Sequence, residues 1–129
     1  MDQEVLVMQL QKLANRLEER EGPIALFMLL APDAETGDSW NLIVSARGLD
    51  GKSRASAIRQ FTEWLRTDVD RSHWSEIARV TILRTEDPFV RAINRAFTAK
   101  GSSLNLQSCY LSGVEIPKAI LIESNRVAA

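Results

Sequence analysis

This chain has little of what active sites are commonly built from. Its 129 residues include one cysteine, Cys109, and one histidine, His73. A lone cysteine excludes a disulfide within the chain and any multi-cysteine zinc site. It fits a reducing compartment. A single histidine and a single cysteine far apart in sequence make a poor catalytic pair. His73 therefore reads as a solvated loop residue and Cys109 as a buried or half-buried spectator. No metal-ligand spacing is present, so no metal and no cofactor is implied. Charge of one sign is lacking too. The net charge of −1 gives no general attraction to nucleic acid or to an anionic membrane. The longest apolar run, Ile24 to Ala31, falls far short of the ~20 residues that span a bilayer. The opening Met1-Asp2-Gln3-Glu4 lacks the basic start of a secretory signal. Together these absences predict a cytoplasmic protein with no membrane partner, and they speak against nucleic acid as a partner.

What is present is an ordinary globular composition, 45% hydrophobic and 26% charged. The length predicts one domain over 1–129, with a frayed tail at 124–129. Leu6, Leu10, Leu13 and Leu17 recur at helical spacing, predicting a first helix over 2–20 that Gly22-Pro23 ends. Ile24 to Leu30 is apolar without alternation, as in a strand buried on both faces. A polar loop over 31–39 leads to a second strand, Trp40 to Ala46, in a loose hairpin. A second helix is predicted from Ser53 to Thr67 and a third strand from Ile77 to Leu83. Asp87-Pro88 is a clear helix start, an N-cap followed by proline at the first helical position. That third helix is predicted to reach about Ala99 and to bury Phe89, Val90, Ile93, Ala96 and Phe97. Leu104 to Leu111 alternates as a strand, with Leu104, Leu106, Ser108 and Tyr110 on one face. A short last strand, Ala119 to Ile122, follows Pro117. The order α-β-β-α-β-α-β-β predicts an α/β or α+β fold, a mixed five-stranded sheet packed by three helices.

One segment hints at a ligand. Ala46-Arg47-Gly48-Leu49-Asp50-Gly51-Lys52-Ser53 matches a relaxed phosphate-loop pattern between a strand and a helix. Gly48, Gly51, Lys52, Ser53 and Arg54 would be the anion-binding residues, with backbone N–H groups and a cation converging on phosphate. Cations at the positive end of a helix dipole are mildly unfavourable unless an anion joins them. Against hydrolysis, Ala46 replaces the first glycine, and the third strand ends Leu83-Arg84-Thr85 with no carboxylate for magnesium. No catalytic residue is identified. Asp68/Asp70 and Glu86/Asp87 are the carboxylate pairs, read as a solvated turn and a helix cap. Ten arginines and lysines lie between Arg47 and Arg95, nine of them arginine. Those of the second and third helices, among them Arg91 and Arg95 beside Asn94 and Thr98, would carry any nucleic-acid contact.

The first helix has more apolar surface than one buried stripe requires, with Val5, Val7 and Met8 beside the leucines. The expectation is a small binding or regulatory module that forms a homodimer, with Leu6, Leu10, Met8 or Trp40 near the interface. A further protein partner is compatible with such a module.

Overall fold

The computed structural model describes residues 3–31, 39–111 and 113–127. Helix α1 spans Gln3–Glu21, and its four periodic leucines are completely buried. Gly22 ends it in a left-handed conformation, φ 81°, and donates its N–H to the Glu18 carbonyl at 3.0 Å. Glycine takes this conformation without the penalty of a Cβ. Strand β1, Ile24–Ala31, then pairs antiparallel with β2, Trp40–Ala46. Most of the predicted loop between them, 32–38, lies outside the described residues.

Helix α2, Arg54–Asp68, carries the chain from β2 to a parallel neighbour, β3, Ile77–Ile82. Helix α3, Pro88–Ala96, precedes β4, Leu104–Leu111, and β5, Val114–Ser124. The sheet order is β3-β2-β1-β5-β4. This is the mixed five-stranded sheet of an α+β fold. Strands β3 and β4 occupy opposite edges, so only β2 and β3 form a parallel crossover pair.

The central place of β1 explains its unbroken apolar sequence. Phe27, Leu29 and Ala31 face α1 and α2 together with Leu42, Val44, Ile120 and Ile122. Leu26 and Met28 face the other way, with Ile43, Leu121, Val90 and Ile93 of the α3 layer. Phe27 and Phe61 meet edge to face at 6.0 Å. Burying each such side chain contributes roughly 1.5–3 kcal/mol.

Several sequence expectations are corrected. Helix α3 stops at Ala96, because Phe97 is extended (φ −141°) and turns back onto the core. Ala96 is exposed, and Ala92 takes the buried position. Strand β5 starts before Pro117 and not after it. Proline is tolerated there because its missing N–H falls opposite Ser108, where the β4–β5 ladder is interrupted. Ser108 has φ 53°. Side-chain alternation inverts at this point. Leu106 packs on the α3 side before the interruption, and Cys109 and Leu111 do so after it. Tyr110 is thereby turned to the opposite face. The tail is ordered through Val127. Ser124 exchanges backbone hydrogen bonds with Ala99 at 2.9 and 3.1 Å, and the Asn125 N–H reaches the Ala25 carbonyl at 3.1 Å. Residues 128 and 129 lie outside the described residues. Among the described residues, no helix is long and apolar enough to cross a membrane.

Candidate functional site

The loop after β2 sits at the sheet end that carries the last residues of β2, β3 and β5. Arg47–Leu49 forms a single 3-10 turn. Gly48 lies against the last turn of α1. A Cβ there would overlap the Glu21 carbonyl and come within 2.6 Å of Glu21 Oε1. Glycine is needed at this position for helix packing, without reference to phosphate. Lys52 Nζ lies 3.1 Å from Glu21 Oε2 and donates to Gln60 Oε1 at 2.7 Å. Ser53 caps α2, accepting from the Ser56 N–H at 3.2 Å. The N–H groups of Arg47, Asp50 and Lys52 donate to the carbonyls of Pro23, Arg47 and Leu49. The loop thus satisfies much of its own polar chemistry. The cation that would hold a phosphate is already neutralised by a carboxylate.

Beside it lies a cleft of about 260 Å³ lined by Asp50, Lys52, Arg54, Arg84 and Asp87 among others. Arg54 opens onto it from the first turn of α2. Gly51 is exposed and does not line it. The carboxylates here act as structural acceptors. Asp50 takes the Thr85 N–H at 3.0 Å and the Thr85 hydroxyl at 2.5 Å. Asp87 takes the Phe89 N–H at 2.8 Å, the expected cap. Comparison of the chain with protein-family models, curated proteins and solved structures gives no match.

A second cleft, about 180 Å³, adjoins the first across the β3–α3 connection. Thr85, Arg91, Asn94, Arg95, Arg126 and Val127 line it. Sequence reasoning missed Arg126, which falls in the supposedly frayed tail. The only local signal was an amide residue, Asn125, directly after an apolar strand. Arg59 and Arg66 belong to α2, on the opposite side of the sheet from Arg91 and Arg95. The arginines of the two helix bodies therefore do not form one surface.

The remaining candidates are structural. His73 is not a solvated loop residue. It is 6% exposed in a short 3-10 helix, Arg71–Glu76, with Nδ1 2.6 Å from Glu76 Oε2. Trp74 Nε1 donates to the Val69 carbonyl at 3.0 Å. Asp68 pairs with Arg16 at 3.1 Å, and Asp70 accepts from Gln9 at 3.0 Å, so this acidic pair ties α2 to α1.

At the far edge of the sheet, α1 and β4 border a groove of about 480 Å³. Val7, Met8, Gln11, Ser103, Asn105 and Ile120 line it. Leu6, Leu10 and Trp40, expected near a subunit interface, are buried within the chain. Met8 is 57% exposed.

Proposed function

We propose that this chain is a non-catalytic binding or regulatory module of the cytoplasm that works as a homodimer. The observation that carries the self-association is the distribution of exposed apolar side chains. Val5, Met8, Leu104, Tyr110 and Val114 are exposed, and all five belong to α1 or the β4–β5 hairpin, with Leu104 and Val114 on the α3 side beside their partners Leu121 and Leu111. Trp74 is the one large exposed hydrophobic residue elsewhere among the described residues. Edge strands are ordinarily guarded by charge. Strand β4 has none in its eight residues, LNLQSCYL. A second copy, related by a two-fold axis, would present the same groove and the same Met8, so each copy can cover the other. The non-catalytic assignment draws support from Asp50, Ser53 and Asp87, whose side chains serve as turn and cap acceptors.

Light scattering at micromolar concentration tests the assembly. The expected mass is twice the chain's 14.5 kDa. Met8→Glu and Tyr110→Glu, both at exposed positions, are expected to return the single-chain mass with an unchanged circular dichroism spectrum. A wild-type mass of one chain would overturn the dimer.

A further inference from the structure

We infer that the cleft formed by Thr85, α3 and the segment after β5 binds a phosphate group, either free phosphate or the head of a small phosphomonoester. This does not rest on the dimer.

The argument begins with charge. Arg91 and Arg95 stand one helical turn apart on α3, and Arg126 joins them from the chain terminus. No carboxylate lines the cleft. None of the three guanidinium groups forms an ion pair with a described residue. What sets the cleft apart is that three such groups line one concavity, whereas several cations elsewhere are held by carboxylates. Arg16 has Asp68, Lys52 has Glu21, and Lys100 has Glu18 at 3.1 Å. The Glu18 hydrogen bond holds the Lys100 ammonium above its ordinary pKa. Like charges one turn apart on a helix repel. An anion between them reverses the sign of that term.

The scaffold behind the arginines is fixed. Asn94, between Arg91 and Arg95 on the helix, donates through Nδ2 to the Ala25 carbonyl at 2.9 Å and to Ser124 Oγ at 3.0 Å. The Ser124 hydroxyl in turn donates to the Phe97 carbonyl at 2.9 Å. Asn125 anchors the Arg126 segment to β1 through the Ala25 and Ile24 carbonyls. Helix and terminal segment thus share the Ala25 carbonyl of β1 as an anchor. The backbones that carry the three arginines are held in place by the fold before any ligand arrives, which lowers the ordering cost of binding.

Chemistry and size select the ligand. Guanidinium forks match phosphate oxygens two at a time. A cleft of about 180 Å³ is smaller than the roughly 300–1,000 Å³ of sites that enclose drug-sized ligands. It suits one phosphoryl group with its attached chain pointing outward.

Titration calorimetry and thermal melting on the full chain test the site. The probes are inorganic phosphate and glycerol 3-phosphate, with chloride at matched ionic strength as the control. Both phosphates are expected to bind and to raise Tm beyond the chloride control. Tighter binding of glycerol 3-phosphate would assign the ester, and tighter binding of inorganic phosphate the free ion. Arg95→Gln and Arg126→Gln are each expected to weaken binding by about tenfold or more. Arg126 lies outside every helix and strand, so its loss is read without disturbing α3. Arg59→Gln, on the other side of the sheet, is expected to leave binding unchanged. No binding by wild type, or equal binding by the Arg95 and Arg126 variants, would overturn the site.

Discussion

The loop Ala46–Ser53 and the α3 cleft lie at the same end of one sheet, yet their cations face in different directions. In the loop, Lys52 turns back to Glu21 and Gln60, and Ser53 caps the helix that follows. In the cleft, Arg91, Arg95 and Arg126 line one concavity with no carboxylate among the lining residues. The loop matches a phosphate pattern in sequence, but its lysine and serine are already engaged in three dimensions, and the cleft beside it is lined by Asp50 and Asp87 as well as Arg54. The α3 cleft matches no pattern, because its parts come from α3 and from a segment thirty residues later. Spacing in a sequence therefore identifies residue types at a turn, but the partners of each charge decide whether a ligand has anything left to bind.

Three substitutions sharpen this contrast, from the largest effect to the smallest. Gly48→Ala places a methyl group against the Glu21 backbone, which cannot swing aside as a side chain does. A loss of about 1–3 kcal/mol is expected from overpacking, measured by urea denaturation. An unchanged midpoint would mean that α1 does not close on the loop as described, and would return Gly48 to the role of a ligand-binding glycine.

Asp87→Ala removes the cap of α3 and is expected to cost about 0.5–2 kcal/mol. It should also weaken phosphate binding, since α3 carries Arg91 and Arg95. Full stability in this variant would free Asp87 from the cap and make it a candidate functional acid.

Lys52→Ala is expected to cost about 1 kcal/mol or less, because its ion pair with Glu21 is partly exposed. The decisive readout is ligand response. The phosphate-induced rise in Tm should survive in Lys52→Ala and shrink in Arg126→Gln. The opposite pattern would move the anion site back to the loop.

Legibility in the sequence followed the range of the interactions. The doubly buried β1, the leucine seam of α1 and the Asp87-Pro88 helix start are local patterns, and each has its structural counterpart. The placement of β3 and β4 on opposite edges depends on which strands pair across the sheet, and no local signal carries that. His73 was misread because its partner, Glu76, comes into reach only through a 3-10 turn in a segment that looked like polar connection. Arg126 was misread because the order of the tail rests on Asn125 reaching back to β1, about a hundred residues earlier. In the candidate site, the loop was visible as a motif and its self-satisfaction was not, since Glu21 and Gln60 flank it from two different helices.

The interruption at Ser108 and Pro117 falls at the same level in both strands of the hairpin. These two residues face each other across β4 and β5, between the pairs Gln107–Lys118 and Cys109–Ile116. With both set aside, the neighbours alternate regularly. Leu106, Cys109 and Leu111 would fall on one face, with Gln107 and Tyr110 on the other. On β5, Ile116, Ala119 and Leu121 would likewise share one face. The hairpin is therefore a regular two-stranded ladder interrupted by one matched pair, one residue in each strand. An irregularity in one strand alone would slip the register and turn core side chains outward. The matched pair instead keeps the register, so Leu111 and Ile116 beyond it face the same core as Leu106 and Leu121 before it.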